Sequence, residues 1–324
     1  MSIPVPMRAI LAVLAVLVPA FCLAGCGGSG DGTANRDLDA NLIERDPANR
    51  GVEITVGSKN FTEQFILGEI YAQALEASGY DISKRLDLGS EQIAVRALES
   101  GEIDAYPEYT STALTSFFGT PPEGVPADPQ QAFAQSRSDF ERRGLVAFPP
   151  TPFSSANAVG LLTERADELG VSSVSELDGI SEDLSLYGSP ECRGRADCLV
   201  GLRENYGLEF RRFVPVDIER RYEVLDQGEA DLSILFTTDP QLFVSDEYVI
   251  LEDDRDVLPA GNVLFVAREQ TVKEAGPDFS KVVESVQGEL SLEAMQELNS
   301  RVDVDGETPA EAARTYLKEF GYIR

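Results

Sequence analysis

From residue 52 onward the apolar positions follow two rhythms, a short alternation and a helical period. Residues 53–56 (EITV) read as a strand and 57–60 as a loop. Residues 62–78 read as a helix, because Phe65, Ile66, Ile70, Ala74 and Leu75 recur at helical spacing and Gly79 stops the run. Asn60 with Glu63 three residues on reads as a capping box for it. A second helix, 90–100, ends at Gly101 and leads into a strand at 103–106. Strand-like runs recur at 160–162, 184–187, 232–236, 248–251 and 263–267. Helical ones begin at 172–177, cover 196–206, and continue from Phe279 to the C-terminus apart from 302–306. Strands alternating with helices predict α/β sheets.

One phrase occurs twice. Residues 97–104 (ALESGEID) and 224–231 (VLDQGEAD) each close a helix on Gly and pass through an acidic turn into an apolar strand. Common helix-to-strand loop chemistry would produce a match this short. Half a chain apart, it also fits two similar α/β lobes.

The first residues have a different pattern. Arg8 supplies a thin positive region, residues 9–17 an unbroken apolar run, and Leu23-Ala24-Gly25-Cys26 a small-residue ending. The run is too short for a permanent membrane span. The tetrapeptide resembles a bacterial lipobox, which makes 1–25 a lipoprotein signal peptide and Cys26 the lipidated residue. An ordinary secretory signal with an incidental Cys is the alternative. Residues 26–51, rich in Gly, Asp and Asn, read as a flexible tether. Arg8 is the only charged residue lost with the signal, so acyl chains would be the anchor, and electrostatics would not.

Composition narrows the chemistry. The 324 residues contain 27 Lys+Arg, 56 Asp+Glu and no His, for a net charge of −29. Without His there is no Ser-His-Asp or Cys-His machinery and no His-rich metal site; no cofactor or metal is expected. So acidic a chain is repelled by phosphate backbones, which excludes nucleic acid as a partner. It meets anionic lipid equally badly. Lysines number only five, which makes Lys59 conspicuous in its loop.

Open α/β sheets bind ligands beyond the carboxyl ends of their strands, so the residues following each strand matter most. Lys59 follows the first strand, Glu108, Tyr109 and Thr112 the next, Glu191 and Arg195 the strand at 184–187, and Thr237, Thr238 and Asp239 the strand at 232–236. Two cations with hydroxyls between them suit a carboxylate. Each residue also has an ordinary reading: Lys59 and Arg195 as surface cations, the tyrosines as core, Asp239-Pro240 as a helix start.

GSKNFTEQ at 57–64, followed by SGEIDAYPEYTST at 100–112, closely resembles the substrate-binding proteins of osmoprotectant ABC importers, the receptors for glycine betaine, choline and carnitine. The resemblance runs from about Val52 to the C-terminus. It implies an α/β, two-lobed, periplasmic-binding-protein-like (type II) fold, each lobe a sheet flanked by helices, with the ligand in the cleft between them. Lobe 1 would comprise 52–153 and 260–324, lobe 2 154–259. It further implies that Lys59, Thr112 and Arg195, the last following Pro190-Glu191, hold a ligand carboxylate. Tyr109 would form one wall of an aromatic cage for a quaternary ammonium. The other walls differ: Asn157 replaces a tyrosine, Phe236 stands where Tyr is usual, and 259–262 (PAGN) lacks the tyrosine that often precedes Asn262. Losing two rings, at about 0.5–2 kcal/mol each, weakens ammonium binding by about 5- to 1000-fold. The ligand would then keep a carboxylate, while its other end would be larger or hydrogen-bonded by Asn157.

In an exported chain, Cys192 and Cys198 read most simply as a disulfide stiffening the loop of Glu191 and Arg195; a two-cysteine metal site is the weaker alternative. The acidic run 252–256 lacks calcium-loop spacing and reads as a solvated turn. The resulting expectation is a monomeric, non-enzymatic solute receptor, lipid-anchored at the extracytoplasmic face of a bacterial membrane. Its partners would be a small zwitterion and the permease and ATPase subunits of an importer. A ligand-sensing lipoprotein that signals without transport is the alternative; an enzyme working through Glu108 or Glu191 finds no catalytic pairing of carboxylates.

Overall fold

The structure, a computed structural model, describes residues 41–324. The signal peptide, Cys26 and the first part of the tether lie outside the described residues.

In chain order the elements are β1 (Glu53–Gly57), α1 (Thr62–Ser78), β2 (Asp81–Arg85), α2 (Glu91–Ser100), β3 (Ala105–Tyr109), α3 (Thr110–Thr112), α4 (Pro129–Glu141), β4 (Leu145–Ala147), β5 (Ser154–Ser155) and β6 (Asn157–Leu162). There follow α5 (Thr163–Leu169), β7 (Ser185–Gly188), α6 (Leu199–Tyr206), β8 (Arg212–Pro215), α7 (Glu223–Asp226), β9 (Leu232–Phe236), α8 (Gln241–Val244) and β10 (Tyr248–Ile250). The chain closes with β11 (Gly261–Arg268), α9 (Glu269–Ala275), α10 (Pro277–Gln287), α11 (Leu292–Asp303) and α12 (Pro309–Glu319).

These strands make two sheets of the same plan. The first runs β2-β1-β3-β11-β4 and the second β8-β7-β9-β6-β10. In each, the first three strands are mutually parallel and the last two antiparallel to their neighbours. The chain crosses between them twice, at Ala156 from β5 to β6 and again between β10 and β11; β5 itself pairs with β11 of the first sheet.

The repeated phrase has the same function in both sheets. Gly101 and Gly228 take the left-handed conformation, φ +78° and +66°, that closes a helix turn cheaply only for glycine. The aspartate three residues later then accepts from a backbone amide of the parallel neighbour: Asp104 Oδ2 from Thr55 N at 2.9 Å, Asp231 Oδ2 from Ser185 N at 2.9 Å. Both bonds start the pairing of the next residues, Ala105 with Val56 and Leu232 with Leu186.

Helix α1 is buried on nearly all sides, because β1 and β11 cover one side and α10, α11 and α12 the other. The opposite face of the first sheet carries Ala94, Leu98 and Phe140 from α2 and α4. The second sheet packs Leu199, Leu202 and Tyr206 of α6 on one face.

Three expectations are corrected. Residues 41–51 are docked and do not belong to a tether: Ile43 N donates to Tyr322 O, Asp46 N to Ser78 O, and buried Asn49 reaches Ser78 through its side chain. Their polar groups found backbone partners that composition does not announce. Asn60 does not cap α1; the N-cap is Phe61, and Glu63 turns inward to a buried tyrosine. Asp239 caps no helix, since it accepts from Arg221, Tyr222 and the Phe236 amide. Strand β2 and helix α4 were not anticipated. The first is an edge strand (DISKR) with mostly exposed polar residues, and the second buries only Ala132, Ser136, Asp139 and Phe140.

Candidate functional site

The parallel strands β1, β3, β7 and β9 direct their carboxyl ends toward one cavity between the sheets, as the crevice rule for open α/β sheets requires. Lys59, Tyr109, Thr112, Asn157, Glu191, Arg195 and Phe236 all line it. The two sheet crossings also border it, through Ser155, Ala156, Leu258 and Pro259. Gly261, where β11 begins, passes so close that a Cβ would meet Ser111 Oγ at 2.3 Å.

Both expected cations arrive already paired. Lys59 Nζ donates to Glu108 Oε1 at 2.5 Å, and Glu108 also accepts from the Tyr106 hydroxyl and the Tyr109 amide. Arg195 Nε and Nη2 grip the two oxygens of Asp197 at 2.7 and 2.5 Å. Burial works against the Arg195 charge, but Asp197, with Glu91 and Glu108 behind it, overrides burial and holds the guanidinium above its ordinary value. Burial likewise opposes ionisation of Asp197, and Arg195 reverses the balance, keeping that carboxyl below the usual range. Asn157 donates through Nδ2 to the Asp197 carbonyl at 3.1 Å, so its amide braces this loop. Cys192 and Cys198 are joined as a disulfide, with Cα atoms 5.2 Å apart, and close the loop carrying Arg195 and Asp197.

Rings gather at the other end. Phe61 lies 5.2 Å from Phe236 and 6.3 Å from Tyr109, centroid to centroid, so three aromatic side chains meet where the sequence indicated two. Internal cations cover part of their faces: Lys59 Nζ is 4.4 Å from the Tyr109 centroid, and Arg221 is 5.1 Å from that of Phe236. Arg221 is buried and bound bidentately by Asp239 at 2.9 and 2.6 Å. The Tyr109 hydroxyl donates to Glu63 Oε1 at 2.6 Å, and burial pushes that phenol well above its ordinary value.

Side chains also link one sheet's elements to the other's. Arg195 Nη1 faces Glu91 Oε2 at 3.6 Å, Thr115 donates to Asp197 Oδ2 at 3.2 Å, and Asn299 Nδ2 donates to Thr238 O at 3.1 Å. Phe61, Glu91, Asp197 and Arg221 were missed from sequence. Phe61 sat in view beside Lys59, and Asp197 was two residues from Arg195. Glu91 and Arg221 follow β2 and β8, strands that the apolar pattern did not reveal, so nothing local marked them.

Comparisons with known proteins agree on kinship. A glycine-betaine-binding protein of Pseudomonas aeruginosa is 31% identical over 314 residues, covering 94% of this chain and 94% of that one. The carnitine transport binding protein OpuCC of Listeria monocytogenes is 23% identical and covers 95% of each chain. A crystal structure described as a glycine betaine/carnitine/choline ABC transporter superposes with a TM-score of 0.64 at 24% identity, covering 83% of this chain and 99% of that one. That likeness establishes a two-sheet α/β fold of the type II periplasmic-binding-protein kind. Residues 52–319 match the substrate binding domain of ABC-type glycine betaine transport systems, and the chain belongs to that family of solute receptors.

Proposed function

We propose that this extracytoplasmic substrate-binding protein of an ABC importer takes a small carboxylate-bearing zwitterion, glycine betaine or a close relative, between two lobes. Residues 52–155 with 260–324 form the first lobe and 156–259 the second, a boundary two residues later than the expected 154 because β5 pairs with β11 of the first sheet. Lys59, Thr112 and Arg195 hold the carboxylate, the last through Nη1, since Nε and Nη2 are turned to Asp197. Tyr109, Phe236 and Phe61 face the ammonium, and Asn157 and Glu191 complete the wall. Supporting this reading is one observation: residues from both sheets' elements line a single cavity at the carboxyl ends of the strands.

Closure follows from ligand contacts made with both lobes, because a ligand shifts a conformational equilibrium only by what it gains in one state over the other. The two chain crossings are the hinge. The closed receptor then presents its cargo to the permease and ATPase subunits. A signal peptide of 25 residues, lipid on Cys26 and a tether ending before residue 41 would keep a monomeric receptor at the outer membrane face. Catalysis has no support, since Glu108 lies behind Lys59 with its oxygens occupied by three donors.

Calorimetry with glycine betaine, carnitine and choline tests the reading. Betaine and carnitine should bind, and choline, which lacks a carboxylate, should bind most weakly. Choline binding as tightly as betaine would remove the carboxylate role from Lys59 and Arg195.

A further inference from the structure

Glu91 is a buried carboxylate with unfinished bonding. It opens α2, is 6% exposed and lines the cavity. Its one ion pair among the described residues is with Arg195 Nη1, at 3.6 Å, beyond hydrogen-bond distance. Asp197 takes Nε and one N–H of Nη2, while Nη1 makes no hydrogen bond to Glu91. The charge around the cavity is also unbalanced. Lys59, Arg195 and Arg221 face their own partners Glu108, Asp197 and Asp239, and Glu91 and Glu191 remain in excess.

A ligand carboxylate placed on Arg195 Nη1 therefore arrives beside a second carboxylate. Glycine betaine meets that like charge with nothing to give it, because a quaternary ammonium carries no donor. A hydroxyl or N–H next to the ligand's carboxylate changes the interaction from repulsion to a charge-assisted hydrogen bond. We propose that Glu91 is a specificity-determining ligand-binding residue that selects zwitterions bearing such a donor close to the carboxylate. The proposal rests on the reading of Arg195 as a carboxylate site. Helix α2 fixes Glu91 on the first-sheet side and the disulfide-closed loop fixes Arg195 on the other, so the selecting pair is completed only when the cleft is shut.

Two ligands differing by one hydroxyl provide the test: carnitine and its deoxy counterpart 4-(trimethylammonio)butanoate, titrated calorimetrically with glycine betaine as reference. The wild-type chain should bind carnitine about 10- to 100-fold more tightly than the deoxy compound, the range for a hydrogen bond to a charged partner. Glu91→Ala should bring the ratio down to about threefold or less, weakening carnitine while strengthening the deoxy ligand. Glu91→Gln, which keeps an acceptor without the charge, should fall between them and guards against a folding defect in the first variant; thermal melts check both. Equal wild-type affinities, or a ratio that survives both substitutions, overturn the role of Glu91 while the receptor reading stands. No heat from any of the three ligands overturns the reading of Arg195 as a carboxylate site, and Glu91's role with it.

Discussion

Lys59 and Glu108 form a buried ion pair, Nζ to Oε1 at 2.5 Å, where the loop after β1 meets the end of β3. The pair ties two parallel strands together at the cavity wall and leaves the Lys59 ammonium against the Tyr109 ring. Removing one partner of such a pair strands a buried charge, at a cost of about 3–5 kcal/mol. The two deletions are unequal. Glu108→Ala leaves Lys59 without a carboxylate and frees the Tyr106 hydroxyl and Tyr109 amide, whereas Lys59→Met leaves Glu108 with both those donors. Guanidinium denaturation should show Glu108→Ala as the more destabilising. A greater loss from Lys59→Met would mean that the lysine, not the carboxylate, organises this corner.

Asp104 and Asp231 should behave as equivalents. Each accepts a backbone amide at the start of a parallel strand pair, and each substitution to Ala leaves that amide unmet, at about 1–3 kcal/mol. The sites belong to different sheets with no shared partners, so the double variant should lose the sum of the two single losses. Denaturation midpoints with unchanged m-values would establish it; strong non-additivity would mean that the two sheets are coupled through these turns.

That pair also explains what could be read in advance. The Gly-acid-Asp phrase was legible because its chemistry is local: a left-handed turn followed by an acceptor at a strand start. Lys59, Tyr109, Thr112 and Arg195 were legible for a related reason, since each ends or follows a strand whose carboxyl end faces the cavity. Arg221 was not, because its value comes from Asp239 in a different loop and from the Phe236 ring, contacts that only the folded chain creates. Strand β2 was hidden by its edge position, where exposed side chains remove the apolar alternation that marks a strand.

The Cys192–Cys198 disulfide closes a short loop, a sequence separation of six, so its effect on chain entropy is modest, about 2 kcal/mol. Its larger effect should be on binding. The loop it closes holds Arg195 and Asp197 in register, and Glu191 stands beside it. Replacing both cysteines by Ser should therefore leave the protein folded at room temperature while weakening betaine binding, chiefly through faster dissociation in stopped-flow release. An unchanged dissociation rate would show that the Asp197 fork alone positions Arg195.

Glu63 makes stability depend on pH in a direction opposite to the usual carboxylate. Its side chain is 4% exposed, and burial raises its pKa from the ordinary 4.5, although Tyr109 and Asn299 donate to it and oppose the rise. A carboxyl whose folded pKa is raised holds its proton in the native state after the unfolded chain has released it. Its stabilising contribution is complete below the unfolded value and is lost as pH rises through the folded one. Glu63→Gln removes the titration, so the variant should gain on the wild type as pH increases above about 4.5, with a slope no steeper than about 1.4 kcal/mol per pH unit for one proton. The comparison has to be between the two proteins at each pH, because Asp197 is held below its ordinary value and contributes the opposite slope at lower pH in both. A stability difference that stays flat between pH 4 and 8 would mean that Glu63 ionises in the folded protein as easily as in the unfolded chain, and that its three-way contact with Tyr109 and Asn299 fully offsets its burial.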